Sequence, residues 1–89
     1  MTVTPQADEV RLLVARTFEE FGTVVTNVVE LNETLLIKRG QYVARTYRAG
    51  GLMAMWLLQA GIIQFYDRNG VMLRTVNLFL ELEPQTMAA

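Results

Sequence analysis

The chain has 89 residues, enough for one domain around one core, and its hydrophobic fraction of 52% with a mean hydropathy of +0.24 is high for that size. It holds no His, no Cys and no Ser, and its single lysine is Lys38. Serine and cysteine nucleophiles and histidine general bases are thereby excluded, and no disulfide, metal site or cofactor is expected, since transition metals draw mainly on His and Cys.

The opening Met-Thr-Val-Thr-Pro-Gln has neither a basic region nor an apolar signal core, so a cytoplasmic protein is expected. The longest weakly interrupted apolar run, Leu52 to Ile63, is too short to span a bilayer, and no integral membrane association is expected. Thr4-Pro5 reads as a helix start, with Thr4 as N-cap and Pro5 in the first turn. Val10, Leu13, Val14, Thr17, Phe18 and Phe21 then recur at i, i+3, i+4, i+7, i+8 and i+11, the single stripe of an amphipathic helix. Gly22 is its natural stop, which gives a helix over about 5–21.

From Gly22 onward the composition turns to β-formers. Thr23 to Leu31 has strand character, Asn32-Glu33 reads as a turn, Thr34 to Lys38 as a strand and Arg39-Gly40 as the next turn. Gln41 to Arg48 alternates as a further strand, and Ala49-Gly50-Gly51 is a loop. Leu52 to Ala60 fits two readings. It has strong helix propensity and is followed by Gly61, yet the two glycines before it offer no cap and its apolar residues lie on every side; the strand reading is preferred. Ile62 to Tyr66 follows as a strand, and the last strand is expected to run until Pro84, with a frayed tail over 85–89. The expected fold is one α+β domain, residues 1–89: an N-terminal amphipathic helix packed on an antiparallel β-meander of four to six strands over about 23–83. In outline this order is similar to the cystatin-like and NTF2-like architectures, a fold analogy that carries over no residue and no function.

The hairpin around Asp67-Arg68-Asn69-Gly70 carries most of the functional expectation. A type I′ turn on Asn69-Gly70 would set Ile62 opposite Asn77 and Phe65 opposite Arg74, mixing polar and apolar pairs on each face. A type I turn over Asp67 to Gly70, with Gly70 as a left-handed bulge residue, sets Tyr66 opposite Met72. Carried along the strands, that register puts Ile62 opposite Val76 on one face and Phe65 opposite Leu73 and Ile63 opposite Thr75 on the other. Hydrophobic segregation favours the bulged register. Both faces are then apolar, while one helix covers only one of them. Phe65, Leu73, Ile63 and Phe79 are therefore the expected surface of a homodimer or higher homo-oligomer, in a non-catalytic protein-interaction or regulatory module.

Charge is segregated beneath a net of −1. Residues 1–37 set Arg11 and Arg16 against six acids, whereas residues 38–74 set Lys38, Arg39, Arg45, Arg48, Arg68 and Arg74 against Asp67 alone. Within the basic block Arg39, Tyr42, Arg45, Tyr47 and Arg48 interleave cations with rings. That pattern offers a second reading, an anion or single-stranded nucleic-acid patch in which arginine holds phosphate and tyrosine stacks. The acidic pI of about 5.3 and the lack of a spaced-glycine phosphate loop weigh against it. A third reading, a small apolar ligand between helix and sheet, rests on architecture alone.

Overall fold

The computed structural model describes residues 6–26 and 31–81. In chain order these form a helix α1 (Ala7–Glu20), strands β1 (Asn32–Lys38), β2 (Gln41–Ala49), β3 (Leu52–Leu57), β4 (Ile62–Tyr66) and β5 (Met72–Asn77), and one turn of helix, α2 (Leu78–Glu81). The five strands form one antiparallel sheet in the meander order β1-β2-β3-β4-β5. This is the expected α+β arrangement.

The helix begins later than expected. Gln6 has extended dihedrals (φ −84°, ψ 143°) and is the N-cap, its N–H donating to Glu9 Oε1 at 3.3 Å; Thr4 and Pro5 lie outside the described residues. The apolar stripe is where the spacing puts it: Val10, Leu13, Val14, Thr17 and Phe18 are buried, with Phe21 half-buried. Thr17 tolerates burial because its hydroxyl donates to the Leu13 carbonyl at 2.8 Å. The C-terminus closes in a Schellman motif, Thr23 N–H to Phe18 O and Gly22 N–H to Glu19 O, at 2.9 and 3.0 Å.

Two expectations fail around β1. Residues 23–26 and Leu31 carry no strand, so the strand does not extend over all of Thr23–Leu31; its middle, 27–30, lies outside the described residues. Asn32 and Glu33 belong to β1 rather than to a turn, because Asn32 pairs with Arg48 and Glu33 with Tyr47. At Leu52–Leu57 the strand reading holds. Ala54 faces Tyr47 on one side and Phe65 on the other, so this apolar run is the middle of the sheet rather than a helix.

The Asp67–Gly70 turn has the bulged geometry. Gly70 N–H donates to Asp67 O and Asp67 N–H to Val71 O, both at 3.0 Å, while Gly70 has φ +81°. The Asp67 carboxylate accepts from the N–H groups of Asn69 and Val71 at 2.8 and 3.0 Å. Tyr66 accordingly pairs with Met72, but the expected register ends there. A second irregularity follows at once, leaving Leu73 unpaired and setting Phe65 opposite Arg74, Ile63 opposite Val76 and Ile62 opposite Asn77. The reason is packing. Without that bulge Thr75 would enter the core beside Ile63; with it Val76 does. Arg74 comes to the helix side, where it lies 4.8 Å from the Phe21 ring and 3.2 Å from Glu20 Oε1.

The last strand also stops short. β5 ends at Asn77, whose side chain accepts from Phe79 N–H at 3.0 Å and so caps α2; Pro84 and the tail from Gln85 lie outside the described residues.

The turn itself is testable. Asn69 needs no positive φ in this geometry, whereas Gly70 does. Asn69→Ala should change stability by only a few tenths of a kcal/mol, and Gly70→Val should lower it by about 1–2 kcal/mol through backbone strain, with no side chain within 4 Å to add a clash. Urea unfolding of both variants measures the contrast.

Candidate functional site

Residues directly opposite in an antiparallel ladder share a face, so the registers sort every strand position. The helix side takes Glu33, Arg45, Tyr47, Ala54, Trp56, Ile63, Phe65, Arg74 and Val76. Phe18 meets Phe65 edge-on, with ring centroids 6.0 Å apart and planes at 80°, which fixes α1 over this face. Arg11 reaches β1 and Glu20 reaches β5, so the helix bridges the sheet.

The opposite face has no helix over it among the described residues. Three rows of side chains cross it. One reads Leu36, Ala44, Leu57, Ile62, Asn77; the next Thr34, Thr46, Met55, Gln64, Thr75; the third Asn32, Arg48, Met53, Tyr66, Met72. Ala44 and Thr46 are small enough to be buried between their neighbours, while Met53, Met55, Leu57, Ile62 and Tyr66 are partly open and Leu36 and Met72 exposed. Polar groups on the face satisfy one another: Tyr66 Oη donates to Gln64 Oε1 at 2.8 Å, and Thr75 Oγ1 lies 3.2 Å from Met72 Sδ. Its middle carries no charge. Strand alternation adds two cations at its rim, Arg48 and Lys38, and no acid.

A second apolar face thus exists, but its composition differs from the expected one. Ile63 and Phe65 are at 0% and 1% exposure beneath α1 and belong to the core; they cannot form an outer surface. Leu73, the bulge residue, is half-exposed, and Phe79 sits on α2 beside Gly61. The four do not form one patch. The residues missed by sequence reasoning are Met53, Met55, Leu57 and Ile62. Their signal was the alternation of β3, in which Met53, Met55 and Leu57 interleave with the buried Ala54 and Trp56.

The basic segment is dispersed as well. Arg39 occupies the β1–β2 turn with φ +53°, and Tyr42 is exposed near that tip. Arg48 lies at the other end of β2 on the open face. Arg45 and Tyr47 point to the helix side, where Tyr47 is fully buried and Arg45 lies 5.6 Å from the Trp56 ring centroid. No single anion patch uses all five.

Arg45 is instead part of an ion network. Glu33 accepts from Arg11 Nη2 at 2.9 Å and Arg45 Nη1 at 3.3 Å, and Arg11 also pairs with Asp8 at 2.9 Å. Burial alone would raise the Glu33 carboxyl, but the Arg11 hydrogen bond and the surrounding cations outweigh it and hold the group below its ordinary value. Burial first, and then the neighbouring Glu33 carboxylate, push the Tyr47 phenol well above its ordinary value. A carboxyl held ionised suits a structural anchor, not a general acid near neutrality. A depressed folded-state value means that the stabilisation is present above the ordinary carboxylate value of about 4.3 and is lost as pH falls through the lower folded one. Glu33→Gln should therefore destabilise the protein at neutral pH and flatten its acid limb, as read from urea midpoints across pH 2–7.

The interior between helix and sheet is filled by Val10, Phe18, Trp56, Ile63 and Phe65. The space beside the helix is a groove of about 490 Å³ against β5, lined by Leu13, Arg16, Glu20, Arg74 and Leu80 among others. Among the described residues no helix is long and apolar enough to cross a membrane, and no group of three or more acidic residues is placed to hold a metal ion. No family model, no curated protein and no solved structure matches this chain.

Proposed function

We propose that this chain is a non-catalytic, homo-oligomeric interaction module that mates the open face of its sheet with the same face of another copy. The observation that carries this reading is the uncharged middle of that face, where Leu36, Leu57 and Ile62 on one side and Met53 and Tyr66 on the other flank Met55 among threonines and Gln64, with no helix over it among the described residues. A twofold contact sets a patch against itself, which an uncharged centre tolerates. The rim charges, Lys38 and Arg48, lie at the edge of the face, where they stay hydrated and their repulsion in a twofold contact is screened. Methionine suits such a surface because its unbranched chain adapts to what it meets.

Sedimentation at micromolar concentration tests the proposal. The wild-type chain should run above the monomer mass of 10.1 kDa. Met55→Glu, which buries a carboxylate in the centre of the contact but leaves the α1 side untouched, should lower the association constant at least tenfold, on the order of 1.4 kcal/mol or more, with the far-UV spectrum retained. A wild-type monomer at that concentration removes the reading.

A further inference from the structure

We propose that β1 pairs antiparallel with β1 of a second copy, so that two five-stranded sheets continue into one of ten strands. This rests on the reading that the open face mates with another copy, and it supplies the area that such mating requires. Five strands about 4.8 Å apart and about six residues long cover roughly 500 Å² in plan, below the roughly 800 Å² per partner of a stable interface. Edge pairing doubles the open face to about 1,000 Å² while keeping it continuous.

Among the described residues β1 is an edge of the sheet, hydrogen-bonded to β2 on one side only. Its Leu35, Leu36 and Ile37 are exposed at 41%, 40% and 61%, three consecutive aliphatics and hence apolar on both faces. Soluble edges are normally guarded by proline, by charge or by a bulge. β1 has no proline, its bulge is the extra Val43 on the β2 side, and its only cation is the terminal Lys38. The other edge, β5, is guarded by the Leu73 irregularity and by Arg74.

The sequence of β1 matches itself in one register. Centred on Leu36, an antiparallel pair sets Leu36 against Leu36 on the open face and Leu35 against Ile37 twice on the helix side. Thr34 then faces Lys38, and Glu33 comes level with the partner copy's cationic turn residue Arg39. Every aliphatic meets an aliphatic, and no like charges are set opposite one another. Centring on Leu35 would set Glu33 against Ile37, and centring on Ile37 would set Lys38 against Leu36. A one-residue slip would turn the second copy's helix to the opposite side and interrupt the open face. The edge contact has its twofold axis perpendicular to the sheet and the face contact has one parallel to it, so the two together close into a tetramer with α1 helices outside.

Sedimentation and amide exchange on the full chain test this. The wild type should run at about 40 kDa, four chains of 10.1 kDa, with β1 amides protected. Leu35→Lys with Ile37→Lys sets lysine against lysine at both helix-side pairs and leaves the open face alone. β1 protection should be lost and the mass should fall toward that of a single chain, because one open face of roughly 500 Å² is too small to hold a stable pair by itself. Ile37→Lys alone, at the most exposed of these positions, is the milder variant should the double one fold poorly. Met55→Glu should instead halve the mass and keep β1 protection. A wild type of half that mass whose β1 amides exchange freely, or a double variant with unchanged mass and protection, overturns edge pairing while leaving the face reading intact. Loss of mass in the double variant but none in Met55→Glu overturns the face reading instead. A monomer overturns both.

Discussion

Ile63→Asp is expected to leave the chain unfolded, whereas Ile62→Asp is expected to leave it folded and without its association. The two residues are neighbours of identical chemistry, so only the face to which each points separates them. Ile63 is at 0% exposure between Trp56 on β3 and Val76 on β5, under α1. An aspartate there loses the buried side chain and places a carboxylate with no cation partner in the core, at a cost of about 3–5 kcal/mol or more. Domains of this length are stable by roughly 4–13 kcal/mol, so the loss removes much or all of it. Ile62 lies between Leu57 and Asn77 on the open face, where a carboxylate in the free chain keeps its water. Far-UV circular dichroism reads the fold and sedimentation the association. The reverse pattern would mean that the helix covers the other face.

That pair of residues also marks where the sequence stops being legible. The periodicity of α1, the strand order and the bulged turn at Gly70 follow from spacing and turn chemistry, because each is a local property of a few residues. The two faces of the last hairpin do not. Their assignment depends on one unpaired residue, Leu73, and a single insertion inverts every pair beyond it. Segregation within the hairpin alone favoured Phe65 opposite Leu73. The helix reverses that preference, since Phe18 and Phe21 require Phe65 beneath them and Arg74 gains both the Phe21 ring and Glu20 on the helix side. The information lies more than forty residues away in the chain. The same reason disperses the basic segment: alternation separates Arg48 from Arg45 and Tyr47, but only the contacts of Glu33 with Arg11 and Arg45 show that Arg45 is committed to an internal ion network.

α2 was missed for a different reason. Leu78 to Glu81 reads as a continuation of β5, yet Asn77 caps a helical turn there and Leu78 N–H donates to Gly61 O at 2.9 Å. The β3–β4 turn thus holds the start of α2, and the side chain of Leu78 is buried in the core. The sequence points to a second apolar face but assigns it Phe65, Leu73, Ile63 and Phe79, of which Ile63 and Phe65 lie in the core. Once the register is known, the alternation in β3 places Met53, Met55 and Leu57 on it without further information.

Gly61→Val should be the most damaging single change at a glycine in the sheet's connections, exceeding Gly70→Val. Gly61 has φ +67°, so any β-branched side chain strains the backbone by about 1–2 kcal/mol, as at Gly70. The two sites differ in what surrounds them. A Cβ on Gly70 meets nothing within 4 Å, whereas one on Gly61 falls 2.9 Å from Phe79 Cδ2 and closer still to Cε2. Moving the Phe79 ring disturbs α2, whose first N–H is held by the Gly61 carbonyl, and adds about 1–3 kcal/mol. The expected order of urea midpoints is wild type, then Gly70→Val, then Gly61→Val. Placing Gly61→Val in a Phe79→Ala background separates the two contributions, because truncating the ring removes the overlap but leaves φ unchanged. The cost of Gly61→Val should then fall to that of Gly70→Val. An undiminished cost in that background would show that the ring does not rest on Gly61, and that α2 is held to the sheet by Leu78 alone.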